Sequence, residues 1–218
     1  MKHLLYIIIL ATLTFSCSSE PKTENITEKK NEEKKASCTY ALGPGGSASV
    51  NWTAFKFTEK VGVGGTFDQC RVGGNKNITE DLPGLINGTQ FIILTGSINS
   101  KNPERDTKIV KSFFGAMTGG DNISGIIKDA KGTNRTGRCN AALNMNGVVK
   151  DVNLAYTLKG EELSLSGNID LAAWDAIPAV DALNEVCSLL HKGEDGKSKL
   201  WPTIDLNITS KIKVVCPE

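Results

Sequence analysis

The chain has 218 residues, of which 39% are hydrophobic and only 6% aromatic, and it carries 25 Lys and Arg against 24 Asp and Glu. This near balance of charge excludes electrostatic capture of nucleic acid as the main activity. The 22 glycines favour strands joined by many turns over a helical bundle. The only two histidines are His3 and His191, which argues against histidine-rich metal sites and most histidine-dependent catalytic triads.

The first 17 residues have the features of a bacterial lipoprotein signal. A short basic start precedes an apolar run over residues 4–15, which is too short to span a bilayer comfortably and fits the core of a signal peptide. The run ends in LTFSC, which is similar to a lipoprotein box, although Thr14 stands where the box prefers an aliphatic residue. We therefore expect Cys17 to become the lipidated first residue. The alternative is an ordinary secretory signal that leaves Cys17 in a pro-segment.

Residues 18–37 carry five glutamates and five lysines, and Ile26 is their only large apolar residue. Such a segment buries too little surface to fold alone, so we predict a flexible charged tether. A solvated helix is the alternative. The predicted organisation is a signal peptide over residues 1–17, a tether over 18–37 and a folded domain over 38–218. It implies a protein of the bacterial cell envelope, lipid-anchored to the membrane and facing the periplasm or the surface.

The cysteines of the folded domain agree with export. Cys38, Cys70, Cys139, Cys187 and Cys216 are dispersed and form no CxxC pair, so neither a zinc site nor a thioredoxin-like redox motif is supported. Five cysteines allow two disulfide bridges and one free thiol in an oxidising compartment, and the sequence leaves their pairing open.

Alternation of apolar and polar residues dominates the chain from residue 47 onward and predicts antiparallel strands with one buried face. Two segments depart from this period and predict short helices, at 102–115 and at 176–192. Eight strands and two short helices indicate an all-β fold, a closed eight-stranded antiparallel barrel without free edges. The predicted strands are 48–58, 62–71, 89–99, 121–129, 141–146, 152–158, 163–171 and 204–214.

Four segments of the folded part match one family's sequence pattern. Residues 91–115 read FIILTGSINSKNPERDTKIVKSFFG, with a strand ending in Ser-Ile, an Arg-Asp pair and a closing Phe-Phe pair. Residues 144–167 begin NMNGVVKDVNL and contain an NGV-K hairpin, while 50–53 with 64–67 match an opening hairpin. Residues 173–201 match a subgroup with a helical insert before the last strand. Over about residues 47–215 the chain thus resembles the YceI-like lipid-binding proteins.

The resemblance implies a lipocalin-like barrel whose apolar tunnel holds a long isoprenoid chain, such as a polyprenyl lipid or a quinone. It transfers no catalytic residue. The leading hypothesis is non-enzymatic binding, sequestration or transport of such an amphiphile, with no cofactor other than the bound lipid itself. The alternatives are an interaction module whose barrel is filled by its own side chains, and an enzyme acting on a lipid. Whether the chain forms a homodimer stays open.

An isoprenoid tail has no hydrogen-bonding groups, so its site must rely on dispersion and release of water. Arg105 is the one polar candidate, because its planar donors suit a headgroup oxygen. A structural role is the alternative for this pair: Asp106 would cap the helix, and Arg105 would pair with a carboxylate. His191, at the end of the second predicted helix, would interact favourably with the helix dipole. The predicted tunnel residues are apolar or aromatic: Trp52, Phe55, Phe57, Phe67, Phe91, Ile93, Phe113, Phe114, Leu143, Met145, Leu154 and Tyr156.

Overall fold

The computed structural model of the protein describes residues 37–74 and 78–217. The predicted signal peptide, the lipidation site at Cys17 and nearly all of the predicted tether lie outside these residues. The described chain contains eleven β-strands and three α-helices. The strands are β1 (Thr39–Leu42), β2 (Ser49–Lys56), β3 (Val61–Phe67), β4 (Cys70–Gly73), β5 (Gln90–Leu94), β6 (Ile98–Asn99), β7 (Asn122–Gly132), β8 (Thr136–Met145), β9 (Val148–Lys159), β10 (Glu162–Asp170) and β11 (Leu200–Val215), and the helices are α1 (Leu82–Ile86), α2 (Pro103–Lys108) and α3 (Ile177–Val186).

The strands form one curled antiparallel sheet in the order β4-β5-β7-β8-β9-β10-β11-β2-β3-β6, with β1 added beside β11. Its two ends come together, because only residues 68–69 separate β4, at one end, from β3, which pairs with β6 at the other end. The chain just before β2 also bonds to β4: the amide of Val72 donates to the Gly46 carbonyl at 2.7 Å. The sheet is therefore barrel-like, and the predicted all-β class is confirmed.

The predicted count of eight strands is wrong. The single strand expected over residues 62–71 is divided into β3 and β4, which pair with different neighbours. The strand expected over 89–99 is likewise divided into β5 and β6 by a 3₁₀ turn at Thr95–Ser97. The short β1 precedes the first predicted strand. These three additions account for the difference between eight and eleven.

Local sequence explains the long hairpins. Asn146 and Gly147 join β8 to β9 with positive φ angles of 53° and 72°, the conformation that a two-residue hairpin turn needs. In β10 the side chains of Leu163 and Leu165 are buried, while that of Ser166 points to solvent, as the period of two predicts. The apolar faces of these strands therefore point into the interior of the curled sheet.

The helices differ from the sequence expectations in three ways. The segment expected at 102–115 is α2 followed by a π turn at Ile109–Phe113 and a 3₁₀ turn. The helix expected at 176–192 ends at Val186. The five-residue α1 was not expected, so the count of two short helices is wrong. Asp81 caps α1, accepting from the amide of Gly84.

One end of the curled sheet, here called the far end, is closed by β1, α1 and a disulfide. Cys38 and Cys216 form that bridge beside the pairing of β1 with β11. Helix α1 packs against β1 and β7. The sequence allowed two bridges, but the described residues form one, and Cys70, Cys139 and Cys187 are buried free thiols.

Candidate functional site

The interior contains three cavities that share walls. The inner chamber, of about 130 Å³, lies between the strands and reaches α1 through Leu85. The middle chamber, also about 130 Å³, shares Ile123 and Met145 with the inner one. The mouth, about 250 Å³, lies between α2 and the chain after α3 and shares Ile109 and Leu183 with the middle chamber. The three cavities therefore follow one another through the barrel-like sheet.

The inner chamber offers a ligand almost no polar contact. Among the residues that the structure describes, no charged side chain lines it, and the only hydroxyl groups on its wall belong to Thr89 and Ser210. Both hydroxyls are already used, because Thr89 donates to the Leu85 carbonyl at 2.9 Å and Ser210 to the Ser47 carbonyl at 3.0 Å. A guest in this chamber is held by dispersion and by the release of water.

The middle chamber is lined by aromatic rings. The π turn after α2 and the 3₁₀ turn that follows it place Phe113 and Phe114 in its wall, with ring centroids 4.9 Å apart. The ring of Phe67 lies 6.1 Å from that of Phe114. The indole of Trp52 lies across Gly65, where a Cβ would come within 2.5 Å of the ring. Only glycine at position 65 therefore allows the indole this position.

The mouth is the charged end of the series. Of the described charged residues that line it, three are cations, Lys56, Arg105 and Lys108, and one is a carboxylate, Glu104. The guanidinium of Arg105 donates from Nε to Ser100 Oγ at 2.7 Å and from Nη2 to the Ser100 carbonyl at 2.6 Å. No carboxylate in the described part of the chain pairs with Arg105, so the expected ion pair is wrong.

The expected helix cap at Asp106 is also wrong. The side chain of Asn102 caps α2 by accepting from the amide of Arg105 at 3.0 Å. The carboxylate of Asp106 turns back and accepts from the amide of Ser100 at 2.9 Å and from its hydroxyl. Ser100 thus links Arg105 and Asp106, and this link fixes the direction of the guanidinium at the mouth.

His191 lines the mouth without carrying charge at neutral pH. Burial, with the nearby ammonium groups of Lys56 and Lys108, lowers its pKa to about 4. Its Nδ1 lies 3.0 Å from the side-chain oxygen of Asn184, which assigns the ring proton to Nδ1. The ring is neutral and lies beyond the end of α3, so the expected interaction with the helix dipole is wrong.

The structure places most of the predicted tunnel residues on the cavity walls, although contact with a ligand remains a prediction for each. Tyr156 and Phe57 line none of the three cavities. Tyr156 is buried at the far end, where its hydroxyl donates to the Thr133 carbonyl at 2.9 Å, and Phe57 lies in the β2–β3 turn. The inner chamber contains Phe67, Phe91, Ile93, Leu143, Met145 and Leu154; the middle one Trp52, Phe67, Phe113, Phe114 and Met145; and the mouth Trp52, Phe55 and Arg105.

Sequence reasoning missed most of the aliphatic wall residues and one aromatic residue, Trp201. It favoured aromatic residues, yet the alternation that predicted β10 and β11 also marks their inward residues. Helix α1 gave no periodic signal, so its contribution was not foreseeable. The missed wall residues include Val50, Leu85, Ile86, Leu163, Leu165, Ile169, Leu206 and Ile208 in the inner chamber, and Ile109, Val180, Leu183, Leu200, Trp201 and Ile204 in the middle one.

The remaining reactive groups do not form a second centre. Burial raises the pKa of the Cys70 and Cys139 thiols to about 11, so both are protonated at neutral pH. Over residues 37–74 and 78–217, no three His, Cys, Asp or Glu side chains lie close enough together to hold a metal ion. No helix in these ranges combines the length and apolar character that crossing a membrane requires.

The fold and the cavities place the chain among all-β proteins in which a barrel-like sheet surrounds an apolar interior. No known family model and no curated protein matches the chain. Among solved structures, a polyisoprenoid-binding domain from Saccharophagus degradans, implicated in plant cell wall breakdown, is similar with a TM-score of 0.57 and 16% identity, over 82% of this chain and 98% of that one.

Two further solved structures have the same fold. The YceI protein of Campylobacter jejuni matches with a TM-score of 0.50 and 20% identity, over 75% of this chain and 90% of that one. BcnA of Burkholderia cenocepacia matches with a TM-score of 0.52 and 12% identity, over 76% and 96%. The resemblance to the YceI-like proteins is confirmed at the level of the fold. The first of these neighbours is named as a binding domain rather than as an enzyme.

Proposed function

We propose that the protein binds an amphiphile with a long apolar tail, such as an isoprenoid quinone or a polyprenyl lipid, and sequesters or carries it without chemical change. The observation that carries this proposal is the inner chamber: none of the described residues on its wall is charged, and its two hydroxyls already donate to the backbone. Such a wall suits a hydrocarbon tail and disfavours a polar guest. The fold shared with a polyisoprenoid-binding domain supports the same class of ligand.

The tail occupies the chambers in series. The inner and middle chambers are each close in volume to a cavity that holds one benzene ring, so neither alone accommodates a long chain. A threading tail must displace the side chains at their common wall, which includes Met145 and Ile123. Methionine is unbranched and adapts to a guest more readily than a β-branched residue. The headgroup then lies at the mouth, near Arg105.

The proposal includes a place in the cell. The basic start, the apolar run and the small residue before Cys17 support export and a lipid anchor in a bacterial envelope. The protein would then meet its ligand at a membrane surface. Removal of residues 1–17, or substitution of Cys17 by serine, should release the protein from the membrane fraction. Retention of both variants in that fraction would contradict the anchor.

Native mass spectrometry of the gently purified full chain, with and without added menaquinone-4, tests the proposed binding. The matched variants are Ala141→Phe, which fills the inner chamber, and Ala142→Phe on the other face of β8. We expect a bound mass for the wild type and for Ala142→Phe and none for Ala141→Phe. Lack of uptake by the wild type would overturn the proposal. Equal uptake by both variants would show that the tail does not enter the inner chamber.

A further inference from the structure

The mouth has an excess of two positive charges. Among the described residues that line it, Lys56, Arg105 and Lys108 face one carboxylate, Glu104, and none of the three cations forms an ion pair with a residue of the described part of the chain. The carboxylate of Asp106 does not line the mouth and is linked to Arg105 only through Ser100. His191 is neutral and adds nothing to balance them. A half-buried group of unpaired cations is costly unless an anion is brought to it.

The same cations keep free hydrogen-bonding capacity. Arg105 uses two of its N–H groups on Ser100, which leaves the other donors of its planar group available. The ammonium of Lys56 donates to the Leu190 carbonyl at 3.2 Å and has two more protons. Lys108 donates no hydrogen bond to the described residues.

The cations line one cavity. Lys56 and Lys108 both line the mouth together with His191, and both lie near enough to the imidazole for their charges to lower its pKa. Arg105 and Lys108 line this cavity from α2, and Lys56 lines it from β2. An anion between the two elements would meet ammonium groups and a guanidinium together.

From this arrangement we propose that the mouth selects amphiphiles with an anionic headgroup, a phosphate or a carboxylate, over neutral alcohols and quinones with the same tail. The proposal rests on the proposed function, because it needs the tail in the chambers. The planar donors of Arg105 suit two oxygens of one anion, and the lysines add point charges that tolerate either headgroup. The apolar chambers alone do not determine the headgroup of the ligand. Selection by charge would limit the ligands to amphiphiles with an anionic headgroup.

Displacement of the neutral probe N-phenyl-1-naphthylamine from the full chain separates the two proposals. Tetradecyl phosphate, tetradecanoate and tetradecanol have matched tails and differ in headgroup. At low ionic strength we expect at least one of the two anions to bind on the order of tenfold more tightly than the alcohol, because charge-assisted hydrogen bonds are the stronger ones. The ratio should fall as salt rises. Comparison of phosphate with carboxylate identifies the preferred headgroup.

The matched variants are the double change Lys56→Gln and Lys108→Gln in one protein, and Lys111→Gln in another. Lys111 is exposed on the same helical segment and does not line the mouth. The double variant should lose most of the preference for phosphate over the alcohol, whereas Lys111→Gln should keep the wild-type ratio. Equal binding of the anions and the alcohol by the wild type would overturn this inference alone. Failure of every tetradecyl compound to displace the probe would overturn the proposed function as well.

Discussion

The far end and the mouth of the curled sheet are held together in different ways. At the far end, the Cys38–Cys216 bridge, the pairing of β1 with β11 and the buried Tyr156 fix the backbone. The mouth is built from short helical pieces, α2, a π turn and the chain after α3, with partly buried cations. Stability should therefore depend mainly on the far end, and the choice of ligand mainly on the mouth.

Among the tests of this division, removal of the disulfide should have the largest effect. The double change Cys38→Ala and Cys216→Ala should lower the free energy of unfolding by about 2–5 kcal/mol, because the bridge closes a loop of most of the domain. Urea unfolding measures the loss. Lipid affinity under folding conditions should stay unchanged, since the bridge is at the far end. Reduction should destabilise the wild type but not the double variant; an equal response of both would contradict the assignment.

A comparison of alcohols with long and short tails tests the wall between the inner and middle chambers. Met145→Trp should block that wall and weaken binding of tetradecanol by more than tenfold, because several buried methylene groups at about 0.8 kcal/mol each are lost. Octanol, which needs less depth, should bind nearly as before. Met145→Leu conserves volume and serves as the control. Loss of octanol and tetradecanol binding in equal proportion would mean that the substitution acts on the mouth or on folding.

Tyr156 separates packing from ligand contact at the far end. Its hydroxyl donates to the Thr133 carbonyl, and its ring lies against Gly137, where a Cβ would have no room. Tyr156→Phe should cost about 1 kcal/mol of unfolding free energy, the typical worth of such a hydrogen bond. Probe affinity should not move. A weaker probe affinity at unchanged stability would show that Tyr156 contacts the ligand.

The pH dependence of His191 is the smallest expected effect. The unfolded histidine takes up a proton as pH falls through about 6.5, whereas the folded one does so only near 4. As pH falls from about 6.5 to about 4, the free energy of unfolding therefore decreases, by on the order of 1 kcal/mol for a partly exposed ring. Below about pH 4 this loss is complete. His191→Gln should lack this component when the two unfolding curves are compared between pH 7 and 4. Parallel curves would contradict the lowered pKa.

The long strands were predictable because they are half-buried. In β9, β10 and β11 one face meets the interior and the other meets water, so alternation in the sequence reports the strand directly. The division of β3 from β4 was not visible, because the sequence of β3 is rich in glycine and carries little pattern. Helix α1 is too short for a period of 3.6 residues to show.

The candidate site was predictable only in outline. An apolar interior follows from the inward faces of the strands, but the walls of individual chambers depend on which strands curl toward each other. The structural roles expected for Arg105, Asp106 and His191, an ion pair, a helix cap and a dipole contact, were wrong because they depend on Ser100, Asn102 and the end of α3 at Val186. These are tertiary contacts and local caps, which no sequence period encodes.

The bridge between Cys38 and Cys216 has one further consequence: it turns the described domain into a covalent ring, since its partners are 178 positions apart. A protease that cuts once in a surface loop of this ring leaves both fragments attached through sulfur. The nicked molecule would run as one band on a gel without reductant and as two with it. A single cut in an exposed loop therefore need not separate any part of the domain from the rest of the protein.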